Sequence, residues 1–288
     1  MAKHHFQPHC IFNMDETGLT TVYVPPKVFG PKRVKQLGQV TSAERGTLTT
    51  VVGCVIAGGI TVPPGFRWPR KTHRNVEQYM RGTPSGSLGS LSETGWMTAQ
   101  NLLKWMTHFI KQTKPTPQDP VLLILDNHIS HLSPDVISMA KTNRVVLCKF
   151  PPHTTQKLQP LDVSVYGPLK SYFDNACNGF MLANPGKTIT LYDIGELAGM
   201  SITRSFTPEN IVSDFKATGI CPLDRHVFDD SAFLPSAITD RPFDANSYVP
   251  VTPVEEITTN PTPSTSGQQV TDSVGHCERP TTTQTESI

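Results

Sequence analysis

Three aspartates stand beside apolar runs, and their type and placement are the first sign of chemistry in this chain. Asp15 follows Cys10-Ile11-Phe12-Asn13-Met14, Asp126 follows Val121-Leu122-Leu123-Ile124-Leu125, and Asp162 ends Leu158-Gln159-Pro160-Leu161-Asp162, where a helix is expected to begin. A carboxylate at the exit of a buried strand is costly unless it is solvated or binds a cation. Three of them gathered by a sheet make an all-oxygen site suited to Mg2+ or Mn2+. Such a site is the apparatus for cutting and joining phosphodiesters with two metal ions. Taken singly, each aspartate has a plainer explanation, because strand ends and helix starts favour Asp as a turn or cap residue. The neighbourhoods weigh against it. Asp126-Asn127-His128-Ile129-Ser130-His131 sets five polar or titratable side chains directly after five apolar ones, and Asp162 follows a polar loop, His153-Thr154-Thr155-Gln156-Lys157. Asn127 and His131 are candidates to position Asp126 or to touch a substrate phosphate, with capping of the following loop as the equal alternative.

The elements that must carry these residues are legible from pattern. Residues 10–14 read as a short buried strand, and 47–57 as a strand rich in β-branched residues that Gly58-Gly59 turns into a hairpin. Residues 82–95 are rich in Gly and Ser and read as a mobile surface loop. Leu102, Leu103, Met106, Phe109 and Ile110 share one face of a helix over 98–113. The continuous apolar run 121–125 fits an interior strand covered on both faces. Ser133-Pro134 caps a helix through Lys141, and 145–148 is the next buried strand. Strand, helix and strand at these lengths imply a right-handed crossover between parallel neighbours. Their carboxyl ends then lie side by side, which is where ligands of open α/β sheets collect. Further helices are expected near 160–180, 191–204 and 208–218, giving a mixed sheet flanked by helices.

Composition bounds the rest. The formal net charge is +1 over 288 residues, but residues 236–288 hold seven acidic and two basic residues, or −5. The first 235 residues therefore carry 23 basic and 17 acidic residues, or +6. Their basic surface is compatible with a polyanionic partner. Beyond residue 236 the Thr/Ser/Pro-rich acidic tail has no period and is expected to be disordered. The six cysteines are scattered without a C-x-x-C pair, which argues against a disulfide scaffold or zinc ribbon. No signal-peptide pattern and no apolar run of membrane-spanning length is visible, so an intracellular, reducing compartment is expected.

Other residues admit two readings. Lys27, Lys32, Arg33, Lys35 and Arg45, with Arg67, Arg70, Lys71 and Arg74, are candidates for backbone phosphate contacts, against solvated surface charge as the plainer reading. Trp68 and Trp96 could stack on a base, although packing is the commoner fate. Glu16 alternates to the strand face opposite Asp15, and a solvated or ion-paired carboxylate is expected there. His4, His5, His9 and Cys10 resemble a metal cluster by composition only. Their spacing fits no standard zinc site, and a frayed terminus is expected.

Taken together the blocks resemble a known family. Asn13-Met14-Asp15-Glu16-Thr17-Gly18, Leu125-Asp126-Asn127-His128 with His131, and Gln159-Pro160-Leu161-Asp162 followed by Gly167-Pro168-Leu169-Lys170 look like the catalytic blocks of DDE superfamily endonucleases. The pogo, Tigger and jerky-like transposases of the mariner superfamily are the nearest group. Gly95-Trp96-Met97 and Ala217-Thr218-Gly219-Ile220-Cys221-Pro222-Leu223 resemble two more of its blocks, so the likeness runs from about residue 8 to 228. The resemblance implies a ribonuclease-H-like fold over 1–235, with Asp15, Asp126 and Asp162 as catalytic ligands of Mg2+ or Mn2+. It implies DNA as partner and a nuclear location, with homo-oligomerisation left open. Such proteins carry an N-terminal helix-turn-helix reader, and with the first block near Met1 none is expected here. Two other functions stay open: a non-catalytic nuclear DNA-binding or interaction protein derived from a transposase, and a nuclease acting on RNA–DNA hybrids.

Overall fold

The structure, a computed structural model, describes residues 6–23, 46–69, 76–92, 98–126, 133–151 and 154–229. Six strands form one mixed sheet: β1 (Ile11–Thr20), β2 (Leu48–Ile56), β3 (Ile60–Pro69), β4 (Leu88–Ser92), β5 (Val121–Leu125) and β6 (Val145–Lys149). Their spatial order is β4-β3-β2-β1-β5-β6. The strands β1, β2 and β3 form an antiparallel meander, and β5 and β6 continue it parallel to β1. This is the ribonuclease-H-like arrangement that the resemblance implies.

Period-two alternation sorts the strand residues to two faces. Phe12 and Met14 of β1, Val52 and Cys54 of β2, and Leu123 and Leu125 of β5 pack with α2 (Ala99–Thr113) and α3 (Pro134–Thr142). Ile11, Val51, Val55, Leu122 and Ile124 face α5 (Tyr166–Ala183), α6 (Leu191–Ser205) and α7 (Pro208–Ala217). Helix starts follow local chemistry. Thr98, Ser133 and Thr207 accept hydrogen bonds from the backbone N–H of Asn101, Val136 and Asn210. Asn143 closes α3 by donating its side-chain amide to the Met139 carbonyl at 2.8 Å.

Four expectations need correction. The first strand does not stop before Asp15. It runs to Thr20 because Glu16 to Thr20 pair with Val52 to Leu48 of β2, so Asp15 lies within a strand. The Gly/Ser-rich stretch is not all loop: Leu88–Ser92 is an edge strand parallel to β3, and Ser90 also donates to the Phe66 carbonyl at 3.3 Å. The polar loop before Asp162 holds a helical turn, α4 (Thr155–Leu158). Cys10 is not frayed. It ends a 3-10 turn, Pro8–Cys10, and is 2% exposed. Trp68 belongs to the core, stacked on Phe66 and Tyr79 with centroids 5.8 and 5.4 Å away.

Candidate active site

Asp15 projects from the β1 face shared with Asn13, toward α5. Asp126 follows the last residue of β5, its parallel neighbour. Asp162 lies in a π-helical turn, Leu161–Val165, that runs directly into α5. Topology brings all three to one edge of the sheet, and their electrostatics record it. Burial, then the charge of Asp162, push the Asp15 carboxyl up to about 8. The charge of Asp126 adds to this, while hydrogen bonds from the Glu16 backbone and the Gln159 side chain oppose it. Burial also raises Asp162, helped by Asp126 and opposed by Lys170. Carboxylates whose charges act on one another resist joint ionisation, and a divalent cation that draws them together relieves that. Every donor in the set is an oxygen, so the residues present fit a hard cation.

A buried polar clamp holds the strand of Asp15 to the turn of Asp162. The Asn13 side-chain amide donates to Gln159 Oε1 at 2.9 Å and to the Ile124 carbonyl at 3.3 Å. Gln159 Nε2 donates to the Met14 carbonyl, and the Leu161 N–H donates back to Asn13 Oδ1, both at 3.3 Å. Asn13 and Gln159 are both fully buried. Three chain segments, β1, β5 and the Asp162 turn, thus meet at one carboxamide pair. Tyr166 adds a second anchor: its hydroxyl donates to the Asp15 carbonyl at 2.6 Å and accepts from the Gly53 N–H at 3.3 Å. Gly53 stands opposite Asp15 in the β1–β2 register, and a Cβ there would come within 2.7 Å of that hydroxyl. The glycine is needed for this approach, not for its φ. Asn13, Gln159 and Tyr166 were not picked out as site residues from sequence. Asn13 and Gln159 lie inside the quoted blocks, but 146 positions separate them and only the fold shows that they touch.

Glu16 faces away from Asp15 and pairs with Arg67 of β3, Nη1 to Oε2, at 3.8 Å. Arg67 is 2% exposed, so it is a core cation and not a surface phosphate contact, which corrects its place among the basic candidates. Asn127 and His131 lie outside the described residues. So do Lys27, Lys32, Arg33, Lys35, Arg45, Arg70, Lys71, Arg74 and Trp96.

Comparison with known proteins matches residues 45–215 to the DDE superfamily endonucleases. The chain belongs to that family. A protein of Cochliobolus lunatus named as an MFS-type transporter, clz9, is 26% identical over 255 residues, covering 85% of this chain and 27% of its own length. The human pogo transposable element with ZNF domain is 22% identical over 184 residues, covering 60% of this chain and 12% of its own. The chain thus spans well under half the length of these relatives. Among solved structures, the Mos1 mariner paired-end complex with Mn is similar at 12% identity and a TM-score of 0.48, over 78% of this chain and 59% of that one. No helix among the described residues is long and apolar enough to cross a membrane.

Proposed function

We propose that this chain is a transposase-derived, divalent-metal-dependent DNA endonuclease domain. In this reading Asp15, Asp126 and Asp162 hold the metal, and residues 236–288 form a separate acidic tail. The observation that carries it is the convergence of three carboxylates, from β1, the end of β5 and the turn before α5, near enough for their charges to act on one another. Magnesium or manganese ions bound there supply activation of the attacking water or 3′-hydroxyl and stabilisation of the leaving oxygen. The protein's own part is positional. The Asn13–Gln159 clamp fixes the distance between β1 and the Asp162 turn, and Tyr166 fixes the backbone at Asp15. Asn127 and His131 are proposed to orient Asp126 or to meet the scissile phosphate. Lys27, Lys32, Arg33, Lys35 and Arg45 are proposed to contact the DNA backbone, with a nuclear location to match.

The test is nicking of nonspecific duplex DNA by the purified chain. Cleavage is expected with Mg2+ or Mn2+ and absent in chelator, and Asp126→Ala is expected to abolish it. Two carboxylates leave too little negative charge to hold two divalent ions. Cleavage that persists in chelator or in Asp126→Ala rules the mechanism out. DNA binding without cleavage under either metal would instead favour a non-catalytic, DNA-associated protein.

A further inference from the structure

The opposite end of the sheet carries a second cluster of ligating atoms. Parallel pairing places Ile11 of β1 beside Leu122 of β5, so the segments that enter these strands are neighbours. The turn before β1 is Pro8–Cys10, and the turn before β5 is closed by Asp119, whose N–H donates to Thr116 Oγ1 at 3.0 Å. The Cys10 thiol donates to Asp119 Oδ1 at 2.8 Å, and His9 Nε2 lies 3.5 Å from the same oxygen. One ligand atom from each of the three residues lies within 4.8 Å of the others. A tetrahedral zinc ion with its usual bond lengths keeps its ligand atoms about 3.5 Å apart. To admit one, the 2.8 Å thiol–carboxylate contact must open slightly and the widest pair, no more than 4.8 Å apart, must close.

Exposure also fits entry of an ion. The thiol is at the floor, with Cys10 2% exposed, while the His9 and Asp119 side chains are 64% and 59% exposed and free to swing inward. The donor set differs in kind from the carboxylate trio, since thiolate and imidazole favour zinc over magnesium. We propose that His9, Cys10 and Asp119 form a three-ligand zinc site, with water at the fourth position, that ties the entry of β1 to the entry of β5. Binding exchanges one proton for one ion: the S–H bond breaks, a zinc–sulfur bond forms, and the proton leaves to solvent. These are the two strands that lead to Asp15 and Asp126, so the tie stabilises the register on which the other end depends. The proposal does not rest on the cleavage reading and survives its failure.

The test uses the metal-free full-length chain and Co2+ as a spectroscopic stand-in for Zn2+. One equivalent of Co2+ is expected to produce a thiolate-to-cobalt charge-transfer band, which Zn2+ displaces and excess Mg2+ does not. Cys10→Ser should remove the band, and Asp119→Asn, at an exposed position, should weaken Co2+ binding about tenfold. Asp126→Ala should leave it unchanged, since carboxylates give no such band. Absence of the band in the wild-type chain overturns the proposal and reduces the cluster to a hydrogen bond. Its survival in Cys10→Ser overturns it too, by assigning the signal to another thiol such as the exposed Cys148. Full affinity in Asp119→Asn removes Asp119 from the site and the proposal with it.

Discussion

Asp214 shows how much a single side chain can hide. It lies on α7 between the exposed Val212 and the buried Phe215, and its own side chain has no contact with solvent. Burial pushes its carboxyl up to about 7. The Ser164 hydroxyl and N–H oppose the shift without forming a full hydrogen bond, and the charge of Asp162 adds to it. The native state therefore keeps a proton that the unfolded chain, titrating near 3.9, gives up. Its stabilising contribution is full below about pH 4 and is lost as pH climbs toward 7. Asp214→Asn keeps the neutral shape, so it should flatten that decline by on the order of 1–3 kcal/mol. Urea unfolding at pH 4.5, 6 and 7.5 measures it. The slope left in the variant belongs to the other raised carboxyls, Asp15, Asp162 and Asp174, each pushed up first by burial. An unchanged pH profile would mean that Asp214 is already ionised in the folded protein.

At the scale of elements, the clamp between β1 and the Asp162 turn is what the fold adds to the candidate catalytic residues. Gln159→Ala removes the shorter of the Asn13 amide's two hydrogen bonds and the side-chain donor to the Met14 carbonyl inside the core. A cost of about 1–3 kcal/mol is expected, read as a lower urea midpoint at unchanged m value. A change below about 0.5 kcal/mol would show that the two carboxamides are not joined in solution. Elements whose signals are local were legible beforehand. The unit β5-α3-β6 announces itself through an apolar run, a Ser-Pro cap and a second apolar run, and its parallel pairing followed from connection length. The edge strand β4 did not, because Leu88-Gly89-Ser90-Leu91-Ser92 has no β-branched residue and owes its conformation to β3 alone. The second half of β1 was missed for a similar reason: Glu16 to Thr20 look polar, and only the β2 partner makes them a strand. Candidate site residues followed the same division. The three acids could be picked out by their neighbours in sequence, whereas Gln159, Tyr166 and Asp119 gain meaning only from contacts more than 100 residues away.

Over the whole molecule, charge is divided by position. The first 235 residues carry +6 and the last 53 carry −5, so the near-neutral total conceals a basic stretch followed by an acidic one. A composition of Thr, Ser, Pro and carboxylates offers little apolar surface to offset the entropy of ordering. Removing residues 236–288 is therefore expected to leave the melting temperature where it was. The same deletion should tighten nonspecific DNA binding at low salt, because it removes a net charge of −5 that opposes a polyanionic partner. The log–log salt dependence of that binding should follow the number of phosphates neutralised, at a slope of about 0.9 per contact. If the tail only shields charge, the affinities of full-length and truncated chains should converge as salt screens it, within a Debye length of about 8 Å near physiological ionic strength. A lower melting temperature in the truncated chain would show instead that these residues pack against the domain. Their net charge would then belong to the fold's electrostatics and not to a separate appendage.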